Sequence, residues 1–193
     1  MLRLRLPTDP RWANIAENNI EEVLTDHAFC EQKAASNAIS LIVLYPEYTD
    51  IVQQMTAIAQ EELEHFAQVH EIIIQRRYTL GRERKDNYVG DLMKFLKKGT
   101  SREVYLVERL LFSAMIEARS CERFRVLAEN ISDKELATFY NDLMASEANH
   151  YTTFISLARK YNSGIDVDAR WQEFLDYEAT VIANYGKNET IHG

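Results

Sequence analysis

The chain has 193 residues, a formal net charge of −8, six glycines, three prolines and two cysteines. Its length suits a single domain over residues 1–193, with a short N-terminal segment at 1–9 and a frayed tail at 186–193. The scarcity of glycine and proline argues against a hairpin-rich β fold, and two cysteines without CxxC spacing exclude a disulfide framework. The first residues alternate leucine with arginine, so we expect no signal peptide, no membrane partner and a cytoplasmic protein.

In chain order, Asp9 and Pro10 offer a cap and a proline at the first helical position, which predicts a short helix to about residue 24. A long helix over 26–45 follows and ends at Pro46. The next covers 48–78, where apolar residues recur every three or four positions. Residues 81–99 are predicted to form a loop with a short helix around 88–97, which connects two halves of the chain.

The second half repeats the organisation of the first. A long helix is capped by Thr100 or Ser101 and runs to about residue 130, and Ser132 with Glu135 forms a capping box that opens another, ending near 161. A last amphipathic helix over 167–185 is expected to pack on the outside. Two helix pairs joined by a longer crossover predict an all-α, ferritin-like four-helix bundle with additional N-terminal, crossover and C-terminal helices.

Charge is distributed unevenly along this chain. Between positions 76 and 102 nine basic residues stand against three acidic ones, and the remainder is strongly acidic. Such asymmetry indicates an anionic partner, although a solvated connection between helices would have the same composition. The nine basic residues are Arg76, Arg77, Arg82, Arg84, Lys85, Lys94, Lys97, Lys98 and Arg102.

Two motifs place a glutamate and a histidine three residues apart, Glu62 with His65 and Glu147 with His150. This spacing brings both side chains to one helix face, where they can bind one ion. The same spacing occurs at 189–192, in a tail that we expect to be unpacked, so spacing alone decides little. The first two motifs differ because each continues the apolar stripe of its helix, and a charged residue that faces a core must be paired or bind a metal.

Each helix that precedes such a motif carries one glutamate in register with its own apolar face. The intervals are 31 residues in the first half and 30 in the second. A glutamate plus Glu-x-x-His, present twice, is typical of di-iron and di-manganese carboxylate bundles. The predicted metal ligands are Glu31, Glu62, His65, Glu117, Glu147 and His150.

Within this ligand set, Glu62 and Glu147 are expected to bridge the two ions, while Glu31 and Glu117 bind terminally. Each histidine ligand needs a hydrogen-bond acceptor for its second ring nitrogen, and the sequence does not identify one. Other titratable residues receive structural interpretations. We expect surface or partly buried positions for His27 and His70, and solvated positions for Glu61, Glu64, Glu71 and Glu122.

Five segments give the chain a more specific resemblance, namely residues 26–35, 61–66, 80–89, 117–124 and 146–151. The most particular is the run Gly-Arg-Glu-Arg-Lys-Asp at 81–86. Through these segments the sequence resembles the bacterial tRNA hydroxylases that act on 2-methylthio-N6-isopentenyladenosine beside the anticodon. All six ligand positions of that family are filled here.

The resemblance implies O2-dependent hydroxylation of the isopentenyl side chain by a centre of two iron ions, with no catalytic residue beyond the metal ligands. Electrons would come from an external donor, a reductase or a ferredoxin-type protein, and the enzyme would be a monomer or small oligomer. The tRNA anticodon stem-loop would lie across the nine basic residues. In this interpretation Arg119, Arg123 and Arg125 extend the RNA surface.

Other classes of function stay open. A ferroxidase or iron-storage protein could use the same ligands, but it would assemble into a large hollow shell. A manganese- or peroxide-dependent enzyme is also compatible, because the ligands do not distinguish iron from manganese. A purely structural bundle would have to bury six charged or titratable groups without an ion, at a high cost in free energy.

Overall fold

The computed structural model describes residues 2–185, 188 and 190–192, and within these ranges it contains helices and no strand. The predicted all-α class is therefore confirmed. None of the helices in the described ranges is both long and apolar enough to cross a membrane. The helices are α1 (Trp12–Glu17), α2 (Ile20–Leu44), α3 (Thr49–Gln75), α4 (Asn87–Leu92), α5 (Arg102–Asn130), α6 (Lys134–Lys160) and α7 (Val167–Ile182), with a 3-10 turn at Met93–Phe95.

The chain forms two compact units. The small unit comprises residues 18–85 with 190 and 191, and contains α2 and α3. The large unit comprises residues 2–17, 86–185, 188 and 192, and contains the other five helices. That these units act as one domain stays a prediction.

The small unit is an antiparallel helix pair. Pro46 ends α2, because proline has no N–H to continue the helix, and the short connection returns the chain as α3. The apolar stripes of both helices are buried, among them Ala38 and Leu41 on α2 and Met55 and Val69 on α3. These stripes fix the rotation of each helix about its axis and so decide which polar residues face inward.

The large unit is built around the second helix pair, α5 and α6. The side chain of Ser101 caps α5 by accepting a hydrogen bond from the Val104 N–H at 3.3 Å, as the sequence predicted. The last helix, α7, packs on α4 and α5, and α1 packs on α5. The N-terminus of α7 is capped by Asp166, whose side chain accepts a hydrogen bond from the Ala169 N–H at 2.9 Å.

Two helix starts differ from the prediction. The chain breaks at Asn18 and Asn19, so the first helix ends at Glu17 and residues 20–24 belong to α2. Asparagine favours such breaks because its side chain competes for backbone hydrogen bonds. The cap of α6 is Asp133 instead of Ser132, whose N–H and hydroxyl both donate to Glu17.

Ile191 and His192 are packed, although they belong to the tail that we predicted to be frayed. Ile191 is fully buried in the small unit, and its N–H donates to Asp26 at 2.8 Å. In the large unit His192 lies 3.0 Å from the Ser120 hydroxyl and 2.9 Å from an Asp86 carboxylate oxygen. These partners are distant in sequence, so local composition could not reveal them. Residues 186, 187, 189 and 193 of the predicted tail lie outside the described residues.

Candidate metal centre

The small unit brings three of the six predicted ligands together. Glu31 lies on the inner face of α2, and Glu62 and His65 lie one turn apart on the inner face of α3. All three are buried. The Nδ1 atom of His65 is 3.6 Å from an oxygen of Glu31 and 3.6 Å from an oxygen of Glu62. Two carboxylates and an imidazole thus converge on one point.

A fourth side chain belongs to this group, and sequence reasoning missed it. His27 is fully buried, and its Nε2 atom lies 2.6 Å from Oε1 of Glu31. Burial alone would raise the pKa of Glu31, but hydrogen bonds and charge from His27, with hydrogen bonds from His65 and Glu62, lower it to about 2. Glu31 is therefore held as a carboxylate. The expectation that His27 is surface or partly buried was wrong.

The large unit holds the other three predicted ligands. Glu117 lies on α5, and Glu147 and His150 lie one turn apart on α6. All three are buried, and they offer ligand atoms within 4.8 Å of one another. Burial and the charge of Glu147 raise the pKa of the neighbouring Cys121 thiol to about 11, so this cysteine is protonated at neutral pH.

Each group has the composition of a site for a divalent cation. Glu31, Glu62 and His65 also offer ligand atoms within 4.8 Å of one another. Two buried carboxylates side by side repel each other and lose their hydration, which is costly unless a cation compensates. Carboxylate and imidazole together suit iron, manganese or zinc. The residues present therefore fit a metal in both units.

The four glutamates predicted to be solvated differ in their exposure. Glu61, Glu64 and Glu71 are exposed on the outer face of α3, as predicted. Glu122 is buried, against the prediction, and accepts hydrogen bonds from Thr8 and Arg119.

Two of the three arginines suggested as an extension of the RNA surface are fully buried in the large unit. Arg119 donates to Glu178 at 2.6 Å and to Glu122 at 3.0 Å. Arg123 lies 4.1 Å from the centre of the Trp12 ring. Of the three, Arg125 alone is exposed, and it pairs with Glu129. The extension of the RNA surface was wrong for Arg119 and Arg123, because a fully buried guanidinium cannot reach a phosphate.

The nine basic residues fall in both units and are described in each separately. In the small unit Arg77, Arg82 and Lys85 are exposed, while Arg76 and Arg84 are half-buried. The large unit contributes four exposed residues, Lys94, Lys97, Lys98 and Arg102. Lys94 is partly neutralised, since its ammonium lies 2.6 Å from Asp91.

Helix pairs that carry buried Glu, Glu and His residues in both halves define the ferritin-like class of carboxylate-bundle proteins. A solved structure from Synechococcus, protein 43 with aldehyde deformylating oxygenase activity, has the same fold. It is 31% identical, with a TM-score of 0.90 over 98% of this chain and 95% of that one.

The family can also be stated. The tRNA-(MS[2]IO[6]A)-hydroxylase (MiaE) family matches residues 2–193, and the chain belongs to this family. A tRNA 2-(methylsulfanyl)-N(6)-isopentenyladenosine(37) hydroxylase from Pseudomonas putida is 38% identical over 85% of this chain and 78% of its own length. A protein of the same name from Salmonella typhimurium is 29% identical over 98% of this chain and 87% of its own.

Proposed function

We propose that this protein is a di-iron, O2-dependent tRNA hydroxylase that acts on the isopentenyl side chain of 2-methylthio-N6-isopentenyladenosine in the anticodon loop. The observation that carries the proposal is the family match over residues 2–193, in a chain whose predicted ligands are all buried. Relatives that carry this activity in their names support it. The same comparisons favour a hydroxylase over a ferroxidase or storage protein.

The metal centre is proposed to consist of two iron ions held by the six buried residues. The glutamates among them would offer carboxylate oxygens to these ions, and His65 and His150 would each offer an imidazole nitrogen. When bound, a reduced di-iron centre supplies the O2 activation that no amino-acid side chain can perform. The overall reaction balances as R–H with O2, two electrons and two protons giving R–OH and water.

In each unit the protein contributes two buried carboxylates and a buried imidazole. Four carboxylates offset the charge of two divalent ions, and their burial keeps bulk water away from them. The two electrons come from outside the chain, so a reductase or a ferredoxin-type protein is a required partner.

For tRNA binding we assign the nine basic residues between positions 76 and 102. Seven of them are exposed, and Lys and Arg side chains of this kind contact phosphates. Bases in an anticodon loop are accessible without opening a duplex, which lets a modified adenosine leave the loop and enter an enzyme pocket. A protein with this substrate works in the cytoplasm, and we expect a single domain acting as a monomer or small oligomer.

The test of this function is the reaction of the protein with modified tRNA in vitro. Iron-reconstituted protein, a ferredoxin with its reductase and NADPH as the electron source, and O2 are incubated with tRNA that carries the 2-methylthio-N6-isopentenyl group, and nucleosides are analysed by mass spectrometry. We expect a gain of one oxygen on the modified adenosine. Glu147→Ala should lose this activity and most of the iron while retaining its helical circular dichroism.

Two results would contradict the proposal in different ways. Consumption of Fe(II) without oxygen gain on the nucleoside, together with a large oligomer in sedimentation, would favour the ferroxidase alternative. Unchanged iron content in Glu147→Ala would show that the assigned ligands are wrong. Metal analysis of protein grown with both iron and manganese decides between those two ions.

A further inference from the structure

His27 lies on α2, one turn before the predicted ligand Glu31. The side chain is fully buried, and its Nε2 atom lies 2.6 Å from Oε1 of Glu31. Residues four apart on a helix share a face, so the contact follows from the register of α2. An ionised carboxylate can only accept, so the Nε2–H of His27 donates this hydrogen bond.

The two oxygens of Glu31 have different surroundings as a result. Oε1 accepts from His27, whereas Oε2 is the oxygen that lies 3.6 Å from Nδ1 of His65. The hydrogen bond fixes the rotation of the carboxylate and directs Oε2 towards the side of His65 and Glu62. A carboxylate oriented in this way loses less conformational freedom when it binds an ion.

We propose that His27 is a positioning residue for the metal centre, which holds Glu31 with one oxygen available for metal. This inference rests on the metal centre assigned under the proposed function. Hydrogen-bond partners of metal ligands commonly contribute 10- to 100-fold to metal affinity.

The same position in the other helix pair holds a different side chain. Four residues before Glu117 stands Ser113, whose hydroxyl donates to the Arg109 carbonyl at 3.0 Å. The position four residues before the predicted terminal glutamate is therefore occupied by an imidazole in one helix pair and by a hydroxyl group in the other.

The experiment compares three substitutions of His27 with a matched control. In His27→Gln the amide nitrogen takes the place of Nε2 and can still donate to Glu31. His27→Asn has the same chemistry but is too short, and His27→Leu has no donor. His70→Leu is the control, because His70 is half-buried on α3, stacks on Phe66 and has no place in the ligand set.

The readouts are Fe(II) affinity by anaerobic titration of the metal-free protein, and the Mössbauer spectrum of the loaded protein. We expect two Fe(II) per wild-type chain, with the affinity of one lowered about 10- to 100-fold in His27→Asn and His27→Leu. His27→Gln and His70→Leu should stay near wild type. The Mössbauer signal of one iron should change in the Asn variant and recover in the Gln variant.

Equal affinities and spectra in the Asn and Gln variants would overturn the role of His27 while leaving the metal centre intact. If the Leu variant does not fold, the comparison of the Asn and Gln variants still tests the proposal, because both keep a polar side chain at the position. Absence of iron binding by the wild type would instead overturn the metal centre itself, and the inference about His27 with it.

Discussion

Two arginines one turn apart on α5 have different surroundings, and these surroundings decide how much each contributes to stability. Arg119 is surrounded by acceptors, with Glu178 and Glu122 both within 3.0 Å. None of the three guanidinium nitrogens of Arg123 has a hydrogen-bond partner among the described residues, although its face covers Trp12. Burial and the charge of Arg119 lower the pKa of Arg123 to about 10.

We therefore expect unequal effects of the same substitution. Arg119→Met removes the counter-charge of two buried carboxylates and should cost about 3 to 5 kcal/mol of the free energy of unfolding. Arg123→Met loses a cation–π contact but also removes a buried charge, so its cost should stay below about 2 kcal/mol. Urea unfolding of both variants measures the difference. Equal losses would mean that Arg123 is stabilised by contacts other than Trp12.

At the scale of single residues, the apolar stripes predicted the six buried ligands, whereas two polar residues that are buried beside a hydrogen-bond partner were missed. The six predicted ligands are all buried because each continues an apolar stripe that can be read from spacing alone. His27 and Glu122 are also buried, and each has a hydrogen-bond partner there. Glu31 lies on the same helix as His27, whereas Thr8 is 114 residues away from Glu122.

At the scale of elements, the start of α6 illustrates the limit of a local signal. Ser132 and Glu135 have the spacing of a capping box, yet Asp133 accepts from the N–H groups of Glu135 and Leu136. Ser132 and Asp133 are both residues that can cap a helix. Because Ser132 donates hydrogen bonds to Glu17, Asp133 is the residue that caps α6.

Substitution at the two positions distinguishes these caps. Asp133→Ala should cost about 1 kcal/mol, since it leaves the first N–H groups of α6 without their side-chain acceptor. Ser132→Ala should change stability by less than about 0.5 kcal/mol, as is usual for an exposed surface residue. Thermal unfolding of both variants provides the measurement. A larger loss for Ser132→Ala would restore the predicted capping box.

The long helices were predictable because each has an apolar stripe and a clear end signal, such as Pro46 after α2. The shorter elements were harder to predict from the sequence. The first helix was predicted to reach residue 24 because no apolar period separates it from α2, and the break at Asn18 and Asn19 is a local backbone preference. The packing of Ile191 and His192 depends on partners that are distant in sequence, and the period of apolar residues cannot predict such partners.

At the scale of the whole molecule, charge reversal tests the proposed RNA surface. Lys97 and Lys98 are exposed and lie in the basic segment, while Lys134 and Lys160 are exposed lysines outside it. Reversing either pair to glutamate changes the net charge equally. If the basic segment contacts phosphates, only the first pair should weaken tRNA binding substantially.

The salt dependence of binding gives this comparison a quantitative form. Each lost phosphate contact should reduce the slope of log K against log salt by about 0.7 to 0.9, so Lys97→Glu/Lys98→Glu should flatten it by up to about 2. The control pair Lys134→Glu/Lys160→Glu should keep the wild-type slope. Equal slopes in both variants would move the RNA surface away from this segment.

In the proposed reaction this protein inserts an oxygen atom from O2 into the isopentenyl group of a modified tRNA nucleoside. The most direct measurement is the reaction under 18O2 in ordinary water, with the mirror experiment under ordinary O2 in H2(18)O, followed by nucleoside mass spectrometry. We expect one heavy oxygen on the modified adenosine in the first reaction and none in the second. Heavy oxygen that enters from water, or a nucleoside that gains no oxygen while O2 is consumed, would contradict it.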